Sequence, residues 1–290
     1  MDKKIGLIDV DGKMPNLALM KLSAWHKQQG DSVELTMPVL AAGYDKVYMS
    51  KVFTWSDMPC LPDNAEVGGT GYDLHKTLPD EIEHLCPDYS LYNMDYSMGF
   101  LTRGCIRKCE FCFVPEKEGH IRPAADLMEF LRHGKAVLLD NNVLAHGHGI
   151  RQIEEIAQIG VKVDFNQGLD ARLIDDSRAK LLAKVKWLKP IRLACDNTAM
   201  MEPVKKAVEL LRKHGATPKR YFCYVLVEDV NSAFERVEFL RALNVSPFAQ
   251  PYRSPDNKEP AWELRQFARW VNRKELFKSC TWEQFQRGIA

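Results

Sequence analysis

The feature that most limits how this chain can fold is a regular alternation of short apolar runs with longer amphipathic stretches. From about residue 98 to residue 250 the pattern repeats six times, and each apolar run predicts a buried strand followed by a helix. Strands joined by helical crossovers pair in parallel. Six units are too few for the eight-unit barrel. The sequence therefore predicts an α/β fold whose main part is an open, partial (β/α)6 TIM-like barrel.

A smaller region of the same kind precedes it. Strands are predicted at 4–10, 33–35 and 46–50, with a further strand near Val52 and Phe53, and a helix runs from about Asn16 to Gln29. This alternation predicts a small doubly wound parallel-sheet (Rossmann-like) domain. The predicted divisions are a first domain at 1–78, a linker at 79–97, the barrel-like core at 98–250 and a C-terminal helical extension at 251–290.

Composition excludes several classes of protein. The formal net charge is +1, so no overall field favours nucleic acid or an anionic membrane. The first nine residues carry two acids and lack the apolar core of a secretory signal. No stretch approaches the roughly 20 apolar residues of a membrane span. We therefore expect a soluble, cytoplasmic protein with no membrane partner.

Three of the eight cysteines form a cluster, Cys105-x-x-x-Cys109-x-x-Cys112, between a short predicted strand and a helix predicted to open near Pro123. Three thiolates on one tight loop converge on a small volume and can hold a metal or an iron–sulfur cluster. A 4Fe–4S cluster would keep one iron without a protein ligand. Outside an oxidising compartment the remaining cysteines are expected to be small buried apolar residues. They are Cys60, Cys86, Cys195, Cys223 and Cys280.

The cysteine loop, with Phe111 directly before its last cysteine, resembles the signature of radical S-adenosylmethionine (radical SAM) enzymes, and its place after the first strand of a six-unit array matches too. The resemblance implies that Cys105, Cys109 and Cys112 hold a 4Fe–4S cluster whose open iron binds S-adenosylmethionine. One electron would then release a 5′-deoxyadenosyl radical that abstracts hydrogen from an unidentified substrate. Implied partners are an electron donor such as flavodoxin or ferredoxin and a small-molecule or nucleotide substrate, a modified base included.

Further site residues are expected at the carboxyl ends of the strands, where parallel α/β units place their ligands. Asp140 and Asn141 end the second strand, where the family carries a Gly-Gly-Glu-like motif for the amino group of S-adenosylmethionine. This chain lacks those glycines, so either residue is a substitute. Gln167 is a candidate for the ribose hydroxyls, Arg172 for the methionine carboxylate, and Asp196 faces the same mouth. Phe111 completes the cofactor-binding set. Capping of turns and helices is the alternative role of these polar residues.

Two rival functions remain open. The N-terminal unit resembles a shortened cobalamin-binding domain, which would indicate a cobalamin-dependent radical SAM methylase. Its first strand–helix loop (residues 9–13) has no histidine for the lower ligand, and about 75 residues are few for a cobalamin cradle, so a structural domain without cobalamin is favoured. From another class, the loop could hold a cluster or zinc in a non-catalytic interaction protein. Zinc would need a fourth ligand, and His120 lies at an unusual spacing.

Two further motifs are expected to be structural. The run Gly68-Gly69-Thr70-Gly71 lacks the Gly-Lys-Ser/Thr ending of a phosphate-binding loop and predicts a tight turn after a strand. The tract His146-Gly147-His148-Gly149 has no acidic or cysteine partner nearby and predicts a loop that opens a helix.

Overall fold

The computed structural model describes residues 2–12, 14–216, 221–254 and 259–288. Parallel strands form sheets both before and after a connector at residues 79–97. The predicted α/β class, with parallel sheets, is confirmed. Across these ranges, no helix has both the length and the apolar character needed to cross a membrane.

The first region is a four-stranded parallel sheet in the order β2-β1-β3-β4. A helix connects its first two strands, and the glycine run ends the fourth strand in a turn, as predicted. The elements are β1 (Lys4–Asp9), α1 (Leu17–Gln28), β2 (Ser32–Leu35), β3 (Lys46–Ser50) and β4 (Ala65–Gly68).

Alternate residues of β1 serve the two faces of this sheet. Ile5 and Leu7 pack in the cluster that includes Leu19 and Leu22 of α1. On the other face Ile8 packs with Ala41, Val47 and Met49, where a 3-10 turn (Pro38–Gly43) replaces a second helix. Both faces are thereby covered, as a parallel sheet requires.

The strand predicted near Val52 and Phe53 is wrong, because residues 51–53 form a loop. The carboxylate of Asp11 accepts the backbone N–H groups of both residues. Those donors are therefore not available to a strand ladder, and the fourth strand forms further on, at Ala65–Gly68.

The connector leads into the cysteine loop through short elements. The helix predicted to open near Pro123 is wrong, since Pro123 pairs with Thr102 in a two-residue antiparallel ladder. The helix starts only at Leu127, where Asp126 and Glu129 form a capping box that fixes its first turn. The elements are α2 (Asp80–Glu83), β5 (Ser97–Gly99), β6 (Thr102–Arg103), α3 (Val114–Lys117), β7 (Arg122–Pro123) and α4 (Leu127–Phe130).

After α4, strands and helices alternate in the order expected from the sequence. The His146 tract caps and opens a helix as predicted. The elements are β8 (Lys135–Leu138), α5 (Gly147–Ile159), β9 (Lys162–Phe165), α6 (Asp176–Leu182), β10 (Lys186–Trp187), β11 (Arg192–Ala194), α7 (Met201–Lys213), β12 (Tyr221–Val227), α8 (Val230–Ala242), β13 (Val245–Pro251), α9 (Trp262–Asn272), α10 (Lys274–Ser279) and α11 (Trp282–Arg287).

These strands form two parallel sheets, β10-β9-β8-β5 and β11-β12-β13. The short strand β10 takes the place next to β9, so the ladder is interrupted before β11. A continuous partial barrel is therefore not confirmed. Side chains join the two sheets at this seam: the guanidinium of Arg192 donates to both carboxylate oxygens of Asp164, at 2.8 and 2.7 Å, and to the hydroxyl of Tyr224 at 3.1 Å.

The C-terminal helices close the core, as expected from their apolar spacing. Phe267 and Trp270 of α9 are fully buried, and Trp282 packs edge-to-face on Phe267. Trp262, at the first position of α9, is 57% exposed and stays outside this packing.

Candidate cysteine site

The cysteine loop starts directly after β6 and is fixed at both ends by backbone hydrogen bonds. The N–H of Cys105 donates to the carbonyl of Gly119 at 3.3 Å, and the N–H of Cys112 donates to the carbonyl of Cys109 at 3.0 Å. Gly104 adopts φ of +79°, and a Cβ at this position would lie 2.4 Å from the carbonyl oxygen of His120. Only glycine combines this conformation with so close an approach.

The three thiols share one electrostatic environment. Burial raises the pKa of Cys109 and of Cys112, and the charges of the neighbouring cysteines raise both further. The sulfur of Cys105 accepts hydrogen bonds from the N–H of Arg107 at 3.3 Å and from Nδ2 of Asn142 at 3.5 Å. With raised pKa values the thiols of Cys109 and Cys112 are protonated at neutral pH in the free chain, so binding a metal through them releases protons.

The carboxylate of Asp170 accepts hydrogen bonds from three side chains beside Cys105. It accepts two hydrogen bonds from the guanidinium of Arg172, at 2.7 and 3.1 Å, one from Nε of Arg107 at 2.9 Å and one from Nδ2 of Asn142 at 3.3 Å. Although burial opposes it, this pairing lowers the pKa of Asp170. The group is therefore an anion that holds two cations and an amide next to the loop.

Asn142 carries an unmet hydrogen-bond acceptor at this place. Its side chain is 3% exposed, and its Nδ2 is directed by the acceptors Cys105 and Asp170. The orientation of the amide therefore leaves Oδ1 buried and without a partner among the residues that the structure describes. A buried acceptor without a donor is costly unless a ligand or water supplies one.

Two further carboxylates fix the backbone that leads into the loop. Asp140 accepts from the N–H groups of Leu101 and Thr102, at 3.2 and 2.5 Å, and from the hydroxyl of Thr102 at 2.7 Å. Burial raises the pKa of Asp140 to about 6. Glu118 accepts from the N–H of Gly104 and from Nδ2 of Asn141, both at 2.8 Å.

Asp196 lies two residues after β11 and close enough to the loop for its charge to act on the cysteines. Burial raises the pKa of Asp196, and its charge in turn raises the pKa of both Cys109 and Cys112. It accepts the N–H of Leu226 at 3.3 Å. The strand end before it is held by Arg236, which is 2% exposed and donates to the carbonyl of Cys195 at 2.8 Å.

The predicted cofactor-binding residues therefore do not all lie beside the cysteines. Arg172 and Asp196 lie around the cysteines, whereas Asp140 and Asn141 contact the segments that flank the loop. Gln167 is exposed and forms no hydrogen bond within the ranges that the structure describes, and Phe111 is 38% exposed. The cofactor-binding role of each of these residues stays a prediction.

Sequence reasoning missed three residues that the structure brings to the site. Asn142 was part of the polar tract after the second strand, so its position was a usable signal, but the neighbouring residues were preferred. Arg107 and Glu118 contact Asp170 and Gly104 through the folding of the loop. Their positions in the sequence carry no signal of those contacts.

A cavity of about 370 Å³ lies between the segment after β9 and the start of α7. Arg172, Arg178 and Lys206 line it together with Asp175 and Glu202. Since Arg172 also binds Asp170, this residue connects the cavity wall to the surroundings of the cysteine loop.

The donor set at the loop is three thiols, the usual ligand type of iron–sulfur clusters. Among the described residues, no three His, Cys, Asp or Glu side chains converge closely enough to hold one metal ion. In a cluster each thiolate binds a different iron, so its sulfurs need not meet at one point. Hydrogen bonds to the sulfur of Cys105 are of the kind that tune such clusters. The three cysteines therefore remain suitable ligands for a cluster.

Comparisons with known proteins assign no family. No family model and no curated protein matches this chain. Its fold is similar to the crystal structure of Streptococcus suis SuiB bound to S-adenosylmethionine, with a TM-score of 0.45 and 13% identity over 64% of this chain. The match covers 48% of that structure, so this chain spans about half its length. A likeness this weak carries neither a family nor an activity to this chain.

Proposed function

We propose that this chain is a radical SAM enzyme. The observation that carries the proposal is the cysteine loop itself: three thiols in one electrostatic environment, with a hydrogen-bonded Cys105 and the unmet buried acceptor of Asn142 beside it. Together, a 4Fe–4S cluster and S-adenosylmethionine supply a 5′-deoxyadenosyl radical that takes hydrogen from a substrate. The substrate is a small molecule or a nucleotide, and the electron donor is a flavodoxin or ferredoxin.

In this proposal Cys105, Cys109 and Cys112 are the cluster ligands. Hydrogen bonds to Cys105 from Arg107 and Asn142 stabilise its thiolate and orient its sulfur. The raised pKa values of the other two thiols favour the neutral form in the unloaded chain. Cluster loading is therefore expected to weaken as pH falls, because protons compete for the same sulfurs.

The residues around the loop have separate proposed tasks. The Oδ1 atom of Asn142 would accept from an ammonium group, since it is buried beside Cys105 and has no donor among the described residues. Arg172 would bind a carboxylate with the part of its guanidinium that Asp170 does not use, and the side chain is 37% exposed. Asp170 keeps that guanidinium oriented. Asp196 would face the same ligand across the loop.

The finer architecture belongs to the same proposal. The six parallel units would act as an open partial barrel, with the seam between β9 and β11 spanned by Arg192 and Asp164. The proposed divisions are a first domain at 1–78, a linker at 79–97, a core at 98–250 and a C-terminal extension at 251–290. Cobalamin is not part of the proposal, since the first strand–helix loop carries no histidine.

The test is formation of 5′-deoxyadenosine. The chain would be reconstituted anaerobically with iron and sulfide, reduced and mixed with S-adenosylmethionine. We expect 5′-deoxyadenosine from the wild type and none from a variant with Cys105, Cys109 and Cys112 replaced by Ala. Cys60→Ala is the matched control: Cys60 lies outside the loop and is exposed, so the prediction that it is buried is wrong. A wild type that binds a cluster but never forms the product would refute the proposal.

A further inference from the structure

A row of alternating charges connects the first helix of the chain to the cysteine loop. Lys21 of α1 lies 3.0 Å from the carboxylate of Glu83, and Glu83 lies 3.1 Å from the guanidinium of Arg103. Arg103 lies 3.0 Å from Glu118. The other oxygen of Glu118 accepts the N–H of Gly104, the residue directly before Cys105.

The members of this row are shielded from water. The side chains of Lys21, Arg103 and Glu118 are 10%, 20% and 9% exposed, and that of Glu83 is 32% exposed. Burial lowers the pKa of Lys21. Burial opposes ionisation of Glu83, but its two cationic neighbours outweigh this and lower its pKa. Ion pairs that are largely desolvated are strongly coupled, so removing one member leaves an uncompensated charge beside the next.

Arg103 is held in one orientation. Its guanidinium stacks on the ring of Phe100 at 3.5 Å from the ring centre, while its two terminal nitrogens reach Glu83 and Glu118 separately. It cannot turn toward one carboxylate without loosening its contact with the other. Removing the charge of Lys21 therefore affects the contact between Arg103 and Glu118. Without Lys21, Glu83 attracts the shared guanidinium of Arg103 more strongly.

We propose that Glu118 is a positioning residue for Cys105, and that Lys21, Glu83 and Arg103 form an ion-pair relay by which the N-terminal region sets its position. The inference deepens the proposed function: its consequence for S-adenosylmethionine cleavage rests on that function, whereas the relay itself is a property of the unloaded chain. The N-terminal region then has a task at the site beyond structural support.

The first test uses the full chain without cluster or cofactor. Hydrogen exchange would be measured at the amide of Gly104, together with the alkylation rate of Cys105 by iodoacetamide and that of exposed Cys60 as an internal reference. Glu118→Gln should raise both rates at the loop about tenfold and leave Cys60 unchanged. The matched control is Glu116→Gln, since the Glu116 carboxylate is 65% exposed and 3.8 Å from His75. Unchanged rates in Glu118→Gln would overturn the inference.

The second variant, Lys21→Met, separates a relay from a local contact. It keeps the length of the side chain and removes the charge at the far end of the row. We expect both rates at the loop to rise as in Glu118→Gln but by less, two- to fivefold. Wild-type rates in Lys21→Met would overturn the relay, and this variant decides the matter alone if Glu118→Gln does not fold.

The electron paramagnetic resonance spectrum of the reconstituted protein is a readout that a merely structural role of Glu118 would leave unchanged. The relay predicts that Glu118→Gln shifts the electron paramagnetic resonance spectrum of the reduced cluster, while Glu118→Asp partly restores the wild-type spectrum. Identical spectra in the wild type and Glu118→Gln would count against positioning of a cluster ligand. Loop exchange that responds to both charges in a chain that never cleaves S-adenosylmethionine would support the relay and refute the proposed function.

Discussion

The two parallel-sheet regions differ most at the carboxyl ends of their strands. In the first sheet, two polar groups at this edge are bonded to nearby protein groups: Asp9 accepts the hydroxyl of Tyr92 at 2.7 Å, and Ser50 accepts Nδ2 of Asn16 at 2.8 Å. The hydroxyl of Thr36, directly after β2, is buried and has no partner among the described residues. In the second region, the corresponding edge holds three cysteines and the buried, unpartnered Oδ1 of Asn142. Similar strand pairing thus produces one edge lined by hydroxyl and carboxylate groups and one that carries the cysteine cluster.

They also differ in how neighbouring strands are joined. Backbone ladders connect all four strands of the first sheet, whereas β9 and β11 share no ladder. They are joined by the side chains of Asp164, Arg192 and Tyr224 and by one backbone bond, from the N–H of Leu169 to the carbonyl of Arg192 at 2.8 Å. A parallel fold can therefore tolerate an interrupted ladder when a buried ion pair spans the gap. Substitutions at the seam and around the cysteine loop test these two differences.

The largest effect is expected at the seam. Arg192→Met leaves Asp164, which is 5% exposed, as an uncompensated buried charge, so the free energy of unfolding should fall by about 3–5 kcal/mol. Lys46→Met removes an exposed ion pair with Glu66 in the first sheet and should cost roughly 0–1 kcal/mol. Urea denaturation of both variants measures the difference. Equal losses would show that the seam does not rely on this pair.

A matched pair of glycines tests how tightly the loop is held. Gly104 and Gly119 both have positive φ, but a Cβ at Gly119 meets nothing within 4 Å. Gly119→Ala should cost about 1–2 kcal/mol for its backbone conformation alone. Gly104→Ala also displaces the His120 carbonyl and should lose roughly 3 kcal/mol of unfolding free energy in all. Similar denaturation midpoints for the two variants would contradict the close packing at Gly104.

The buried carboxylate of Asp140 predicts a specific pH dependence. Since burial raises its pKa to about 6 from an ordinary 3.8, the folded state binds the proton more tightly than the unfolded state. Its contribution to stability is therefore greatest below pH 4 and is lost as pH rises through 6, by about 3 kcal/mol in total.

Asp140→Asn removes this titration. Urea denaturation from pH 4 to 7 should show that the wild type loses stability relative to Asp140→Asn as pH rises, whatever the constant offset between them. Exposed Asp63→Asn is the control and should follow the wild type. A constant difference between wild type and Asp140→Asn across this range would mean that Asp140 titrates as in the unfolded chain.

The smallest effect concerns the unmet acceptor. Asn142→Ala removes Oδ1, and if that atom binds the ammonium group of S-adenosylmethionine, the dissociation constant should rise about tenfold, the equivalent of 1.4 kcal/mol. Exposed Asn197→Ala is the control. Equilibrium dialysis on the cluster-loaded protein measures both. Unchanged affinity with normal iron content would remove Asn142 from the proposed binding site.

Local patterns predicted much of this fold, and long-range contacts account for what they missed. Helix α7 and strand β12 belong to the strand–helix alternation predicted for residues 98–250, and their periodicity agrees with their burial. Pro123 was misassigned because its pairing with Thr102 depends on the loop folding back. The seam could not be predicted from local sequence patterns either, since the contact of Asp164 with Arg192 joins residues 28 positions apart.

The candidate site likewise combines residues that local spacing indicates with residues that only the fold brings together. The spacing of Cys105, Cys109 and Cys112 is a local signal, and it indicated the loop without any structure. Glu118 and Arg107 act through contacts that only the folded loop creates. Asp140 shows the limit of placing residues by strand ends alone, since its side chain accepts from Leu101 and Thr102 rather than facing the cysteines.

The most direct measurement is the electron paramagnetic resonance spectrum of the reduced, reconstituted chain with and without S-adenosylmethionine, alongside its iron content. We expect about four irons per chain and a spectrum that changes when S-adenosylmethionine is added, because the fourth iron has no cysteine ligand. The same iron content with an unchanged spectrum, or a single bound metal ion, would contradict an open iron at the cysteine loop.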